Sequence, residues 1–138
     1  MKNSDFDLDY RKGVQGENLV DALLTGGKTV EVKTDLKWKT TGNLYIETEC
    51  WYVSSQSWQP SGLSVSSADY WGFVLEDAVL LVKTSQLRGF LPLEGHPIAC
   101  NIPPNPSRGY LIKPERLLEQ IKKTPSPRSN PKSGGESV

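Results

Sequence analysis

Glu31, Val32 and Lys33 lie in the run Thr29-Val30-Glu31-Val32-Lys33-Thr34-Asp35, where two valines alternate with polar residues. That period of two predicts a half-buried strand with Val30 and Val32 toward a core, and Glu31 and Lys33 projecting together from the opposite face. A carboxylate beside an ammonium on a rigid strand can hold a divalent cation and also steady an anionic reaction centre. Those are the requirements of metal-assisted phosphodiester cleavage. A surface ion pair is the competing reading, because E-x-K is a short pattern.

The elements around this strand must bring further groups to it. Before it, Leu19, Val20, Leu23 and Leu24 form an apolar stripe at helical spacing within Lys12–Leu24, and Thr25-Gly26-Gly27 stops the helix. Glu17 falls on the edge of that stripe, within reach of an interior-facing site, while Asp21 is rotated toward solvent. After it, Asn43–Trp51 reads as a second strand, with Leu44 and Ile46 on one face and Tyr45, Glu47 and Glu49 on the other. A hairpin is the simplest connection between the two strands, and if symmetric about Lys39 it sets Glu31 opposite Glu47. A cation would relieve the repulsion of that carboxylate pair.

Further along, Tyr52–Pro60 reads as a loop, and Ser66 or Ser67 as the cap of a short helix through Trp71. Gly72–Leu75 and Val79–Lys83 read as strands joined at Glu76-Asp77, followed by a helix over Ser85–Phe90 capped by Thr84. Pro92–Arg108 is rich in Pro and Gly with one weak extended piece. Tyr110–Ile112 is a strand, and Pro114 opens a helix whose buried face is Leu117, Leu118 and Ile121. This order predicts a single α/β domain over residues 12–123, a mixed sheet flanked by helices, after a polar lead-in at 1–11. Residues 124–138 are nearly devoid of apolar side chains and read as a disordered basic tail.

Composition narrows the class. No apolar run approaches the roughly 20 residues that span a bilayer, and the acidic N-terminus does not read as a secretory signal. Two distant cysteines, Cys50 and Cys100, and one histidine, His96, are too few for an ordinary structural zinc site. A reducing, cytoplasmic location is the expectation. Net charge is zero, but residues 1–107 carry 9 Lys+Arg against 13 Asp+Glu, a net of −4, while 108–138 carry 7 against 3, a net of +4. A basic tail on an acidic body suits phosphate contacts, through Arg128 and Lys132.

The order of a helix with an acidic residue, a strand bearing E-x-K and a second strand with an acidic residue resembles the PD-(D/E)XK nuclease superfamily. The strings Val30-Glu31-Val32-Lys33-Thr34-Asp35, Thr41-Gly42-Asn43-Leu44-Tyr45-Ile46-Glu47, Ser61-Gly62-Leu63 and Ala68-Asp69-Tyr70-Trp71 resemble its small phage- and prophage-encoded members more closely still. Holliday-junction resolvases share that fold. The resemblance implies a restriction-endonuclease-like fold and Mg²⁺- or Mn²⁺-dependent hydrolysis of DNA. It implies that Glu31 binds the metal, that Lys33 stabilises charge on the phosphate or positions the attacking water, and that Glu17 holds metal-bound water. Glu47 would be a further ligand, and a homodimer one assembly the family allows. Apart from the resemblance, the Ser61 and Ser64 hydroxyls could contact phosphate, with a turn role as the alternative. The chain departs from the pattern in lacking an Asp at the start of a strand before E-x-K; Asp21 lies in the helix instead. Either Glu47 takes that place or the site is incomplete, which would leave a nuclease fold that binds nucleic acid, or serves in phage or mobile-element assembly, without cutting.

Other residues have plainer roles. Asp35 suits the cap of the following loop, and Asn43 after Gly42 suits a turn. Trp38 and Trp58 fall in polar stretches where they could stack on bases. Glu31 and Glu47 could also serve as the carboxylate pair of a sugar hydrolase, but Lys33 beside them argues against it.

Overall fold

The computed structural model describes residues 2–103 and 105–123, with the side chains of 2–10 and 12 left aside. The elements follow as α1 (Lys2–Thr25), β1 (Val30–Thr34), a single helical turn α2 (Trp38–Thr41), β2 (Leu44–Tyr52) and β3 (Ser57–Pro60). A 3₁₀ turn (Gly62–Ser64) leads to β4 (Tyr70–Leu75), β5 (Ala78–Lys83), α3 (Thr84–Glu94), β6 (His96–Cys100), β7 (Ser107–Ile112) and α4 (Pro114–Lys123). The fold is mixed α/β, as the sequence predicts, with the strands divided between two sheets of order β1-β4-β5 and β3-β2-β7-β6.

One core joins the sheets. Leu44, Ile46 and Ile112 from the larger sheet meet Trp71, Phe73 and Val82 from the smaller, with Leu87, Phe90, Leu91 and Leu117 supplied by α3 and α4. Strand β4 is central because Trp71, Gly72 and Phe73 are all buried, so both its edges need a hydrogen-bonding neighbour. The prolines agree with this order: Pro60 and Pro97 sit in β3 and β6, the two edge strands of the larger sheet.

Several expectations are corrected. Strand β1 forms no hairpin with β2. It pairs parallel to β4, so Glu31 lies opposite Trp71 rather than Glu47. The intervening segment is helical, and Gly42 closes it at φ 78°, which turns the chain into the other sheet. The faces of β1 are also reversed. Glu31 and Lys33 are half-buried on the side of Trp71, and Val32 is 62% exposed. Helix α1 begins at Lys2, within the stretch read as a lead-in, and its stripe stays open, with Leu24 81% exposed. The segment read as a loop to Pro60 contains β3, which pairs with β2. Trp71 belongs to a strand rather than a short helix. Thr84 lies inside α3, with Lys83 at the cap position. Leu118 is exposed, leaving Leu117 as the buried anchor of α4. The tail, with Arg128 and Lys132, lies outside the described residues.

Candidate active-site cleft

Asp35 ties the end of β1 to the start of β2. One carboxylate oxygen accepts the backbone N–H of Lys37 at 2.9 Å, and the other accepts that of Tyr45 at 2.9 Å. Its role is the loop cap the sequence predicts, and that cap holds the two sheets in register. Beyond it, alternation on β2 sends Leu44 and Ile46 into the core and turns Tyr45 and Glu47 outward, as expected. A register shift between Glu47 and Glu49 then turns Glu49 aside, where it pairs with Arg108 of β7.

Between these elements lies a cleft of about 680 Å³, whose lining includes Lys33, Tyr45, Glu47, Gly62 and Trp71. Lys33 Nζ stands 3.3 Å from a carboxylate oxygen of Glu31 and 5.2 Å from the centre of the Trp71 ring. The indole face and the carboxylate together hold the ammonium at the cleft wall. Trp71 is fixed in turn by donating its ring N–H to Ser66 Oγ at 3.0 Å.

Glu47 is oriented by the loop that follows β3. Ser61, itself buried, donates its hydroxyl to Glu47 Oε2 at 2.7 Å. Gly62 adopts φ 52°, and a Cβ there would stand 2.2 Å from the carbonyl oxygen of Glu47. Only glycine permits this approach. Arg88 of α3 secures the same loop, donating Nε to the Leu63 carbonyl at 3.0 Å and Nη2 to that of Ser66.

Tyr45 shares a hydrogen bond of 2.8 Å with Ser107 Oγ. Burial pushes its phenol up from the ordinary value, against the opposing effect of the Ser107 hydrogen bond. It therefore stays protonated at neutral pH, as a hydrogen-bonding group rather than a base.

Of the residues singled out in the sequence, Lys33 and Glu47 line one cleft, Glu31 joins them through Lys33, and Ser61 joins them through Glu47. Glu17 is exposed on α1 and does not line the cleft. Ser61 spends its hydroxyl proton on Glu47 rather than presenting it outward. Trp38 packs against the core, and Trp58 is covered by the Arg108 guanidinium 4.1 Å from its ring centre. Ser107 and Arg88 escape sequence reading altogether: they lie 62 residues from Tyr45 and 22 from Ser66, and no local pattern links them.

Carboxylate oxygen is the donor type a hard cation takes. Mg²⁺ prefers oxygen ligands and keeps several waters while using one or two carboxylates. Glu31 and Glu47 offer such oxygens, although among the described residues no group of three His, Cys, Asp or Glu side chains gathers to hold a metal. Comparison of the chain with protein-family models, with curated proteins and with solved structures finds no match. Among the described residues, no helix is long and apolar enough to cross a membrane.

Proposed function

We propose that this protein is a metal-dependent nuclease that hydrolyses DNA phosphodiester bonds. The observation that carries the reading is that Lys33 and Glu47 line one cleft while Glu31 lies 3.3 Å from Lys33. Carboxylate and ammonium groups gathered at an accessible cleft suit an anionic substrate with a divalent cation. The resemblance of the E-x-K strand and its neighbours to the PD-(D/E)XK nucleases adds to this.

In this reading Glu31 and Glu47 would hold Mg²⁺ or Mn²⁺, which would supply charge neutralisation for the phosphate and a more acidic water. The Lys33 ammonium binds a non-bridging oxygen of the scissile phosphate and stabilises the charge that builds there. Ser61 keeps Glu47 in one rotamer, so its other oxygen is presented without reorganisation. The protein acts in a reducing, cytoplasmic setting, a reading supported by Cys50 and Cys100 being free thiols.

The test is incubation with supercoiled, linear and branched DNA, and with RNA, in Mg²⁺, Mn²⁺ or EDTA. Lys33→Ala should abolish cleavage and leave metal affinity largely intact. Glu31→Ala should lose both, and circular dichroism should show each variant folded. Wild-type cleavage in both variants would end the proposal. A wild type that binds DNA but cuts no substrate would make this a non-catalytic nucleic-acid-binding protein.

A further inference from the structure

The smaller sheet has a face on which exposed apolar side chains surround half-buried ones. Its register places Val30 and Val32 of β1, Tyr70, Gly72 and Val74 of β4, and Val79 and Leu81 of β5 on the side away from the core. Val32 is 62% exposed, Val79 58% and Leu81 37%. A sheet is ordinarily covered on each apolar face by another layer, and contiguous exposed apolar surface of this kind marks an interaction site.

Helix α1 has the matching deficit. Leu19, Val20 and Leu24 lie on one stripe and are 39%, 53% and 81% exposed. Among the described residues, the Leu19, Val20 and Leu24 side chains of α1 are exposed rather than packed on its own sheet. The helix exit is held by the Lys28 N–H bonding the Ala22 carbonyl at 3.0 Å, with Gly26 at φ 87°.

We propose that two copies of this chain associate, α1 of each lying across the outer face of the β1-β4-β5 sheet of the other. The chain itself supplies both halves of the contact, a helical stripe and a sheet face, each without a partner among the described residues. Charge agrees with the pairing. Glu17 lies on the edge of the α1 stripe, and it has no ion-pair partner among the described residues. Lys28 and Lys83 stand at the end of the sheet where β1 begins and β5 finishes. A twofold arrangement makes the contact twice, which doubles the area buried and closes the assembly at two copies. Glu31 and Lys33 lie on the opposite face of the same sheet, so both clefts stay open.

Sedimentation equilibrium of the full chain should give a dimer. Val32→Lys with Val79→Lys, and separately Val20→Lys with Leu24→Lys, should each weaken association at least about 100-fold, because a charge would be trapped in an apolar contact. All four side chains are exposed in the single chain, so circular dichroism should be unchanged. A wild type that is monomeric at every concentration, or a dimer indifferent to both pairs of changes, would overturn the proposal. Mixing a Val20→Cys chain with a Val79→Cys chain under oxidation should give a cross-linked heterodimer, identified by mass spectrometry of the linked peptides. If instead a chain carrying both cysteines forms the link internally as a monomer, α1 covers its own sheet and the proposal fails.

Discussion

Glu47 is the residue whose position depends on most others. Its carboxylate accepts the Ser61 hydroxyl, and its main-chain carbonyl lies against Gly62. A hydrogen bond to a charged acceptor is worth about 1.5–3 kcal/mol, reduced where solvent competes. Ser61→Ala should therefore cost about 1–2 kcal/mol in urea unfolding and lower cation affinity in the same preparation. Gly62→Ala is the harsher change, since it adds a Cβ at positive φ directly onto a carbonyl oxygen. It should cost at least about 2 kcal/mol and displace Glu47. A Gly62→Ala chain with wild-type unfolding would show that the loop relaxes freely.

At the scale of elements, the parallel pairing of β1 with β4 decides the site, and a reciprocal link starts it. The Thr29 N–H donates to Asp69 Oδ2 at 2.9 Å, and the Asp69 N–H donates to Thr29 Oγ1 at 3.0 Å. The Thr29 backbone N–H holds the Asp69 carboxyl below its usual range, helped by the Thr29 hydroxyl and the charge of Lys28. A carboxyl with a depressed pKa stabilises the fold at pH values above its unfolded pKa, about 3.9. That contribution fades as pH falls through the lower, folded value. The melting temperature of the wild type should thus fall more steeply on acidification below about pH 4 than that of Asp69→Asn. Parallel curves would mean the link contributes no proton-coupled stability. The group is exposed, so the difference should be small.

For the whole molecule, the uneven charge sets how it would meet a polyanion. Residues 108–138 carry 7 Lys+Arg against 3 Asp+Glu, in a chain whose net charge is zero. Deleting 124–138 removes Arg128 and Lys132. If both touch duplex phosphates, the slope of log affinity against log salt should shrink by about 1.8. That segment is nearly devoid of apolar side chains and so has little to bury, and the melting temperature should hold. An unchanged slope would remove the tail from any DNA contact.

The sequence alone carried the mixed α/β class, the strand at β1, the facing of Leu44, Ile46 and Glu47 on β2, and the turn between β4 and β5. These follow from periodicity and turn chemistry, which act over a few residues. It also determined the pairing of Glu31 with Lys33, since side chains two apart on a strand share a face. It did not determine which face. The valines of β1 read as core residues, yet the core lies on the side of Glu31 and Lys33, because β4 inserts beside β1 and places Trp71 and Phe73 there. Nor could it reveal that Ser61 orients Glu47, that Arg88 pins the loop, or that Ser107 bonds Tyr45. Those contacts join residues 14, 22, 25 and 62 positions apart. Strand order is a competition for burial among all the apolar segments at once, and only the tertiary structure records its outcome.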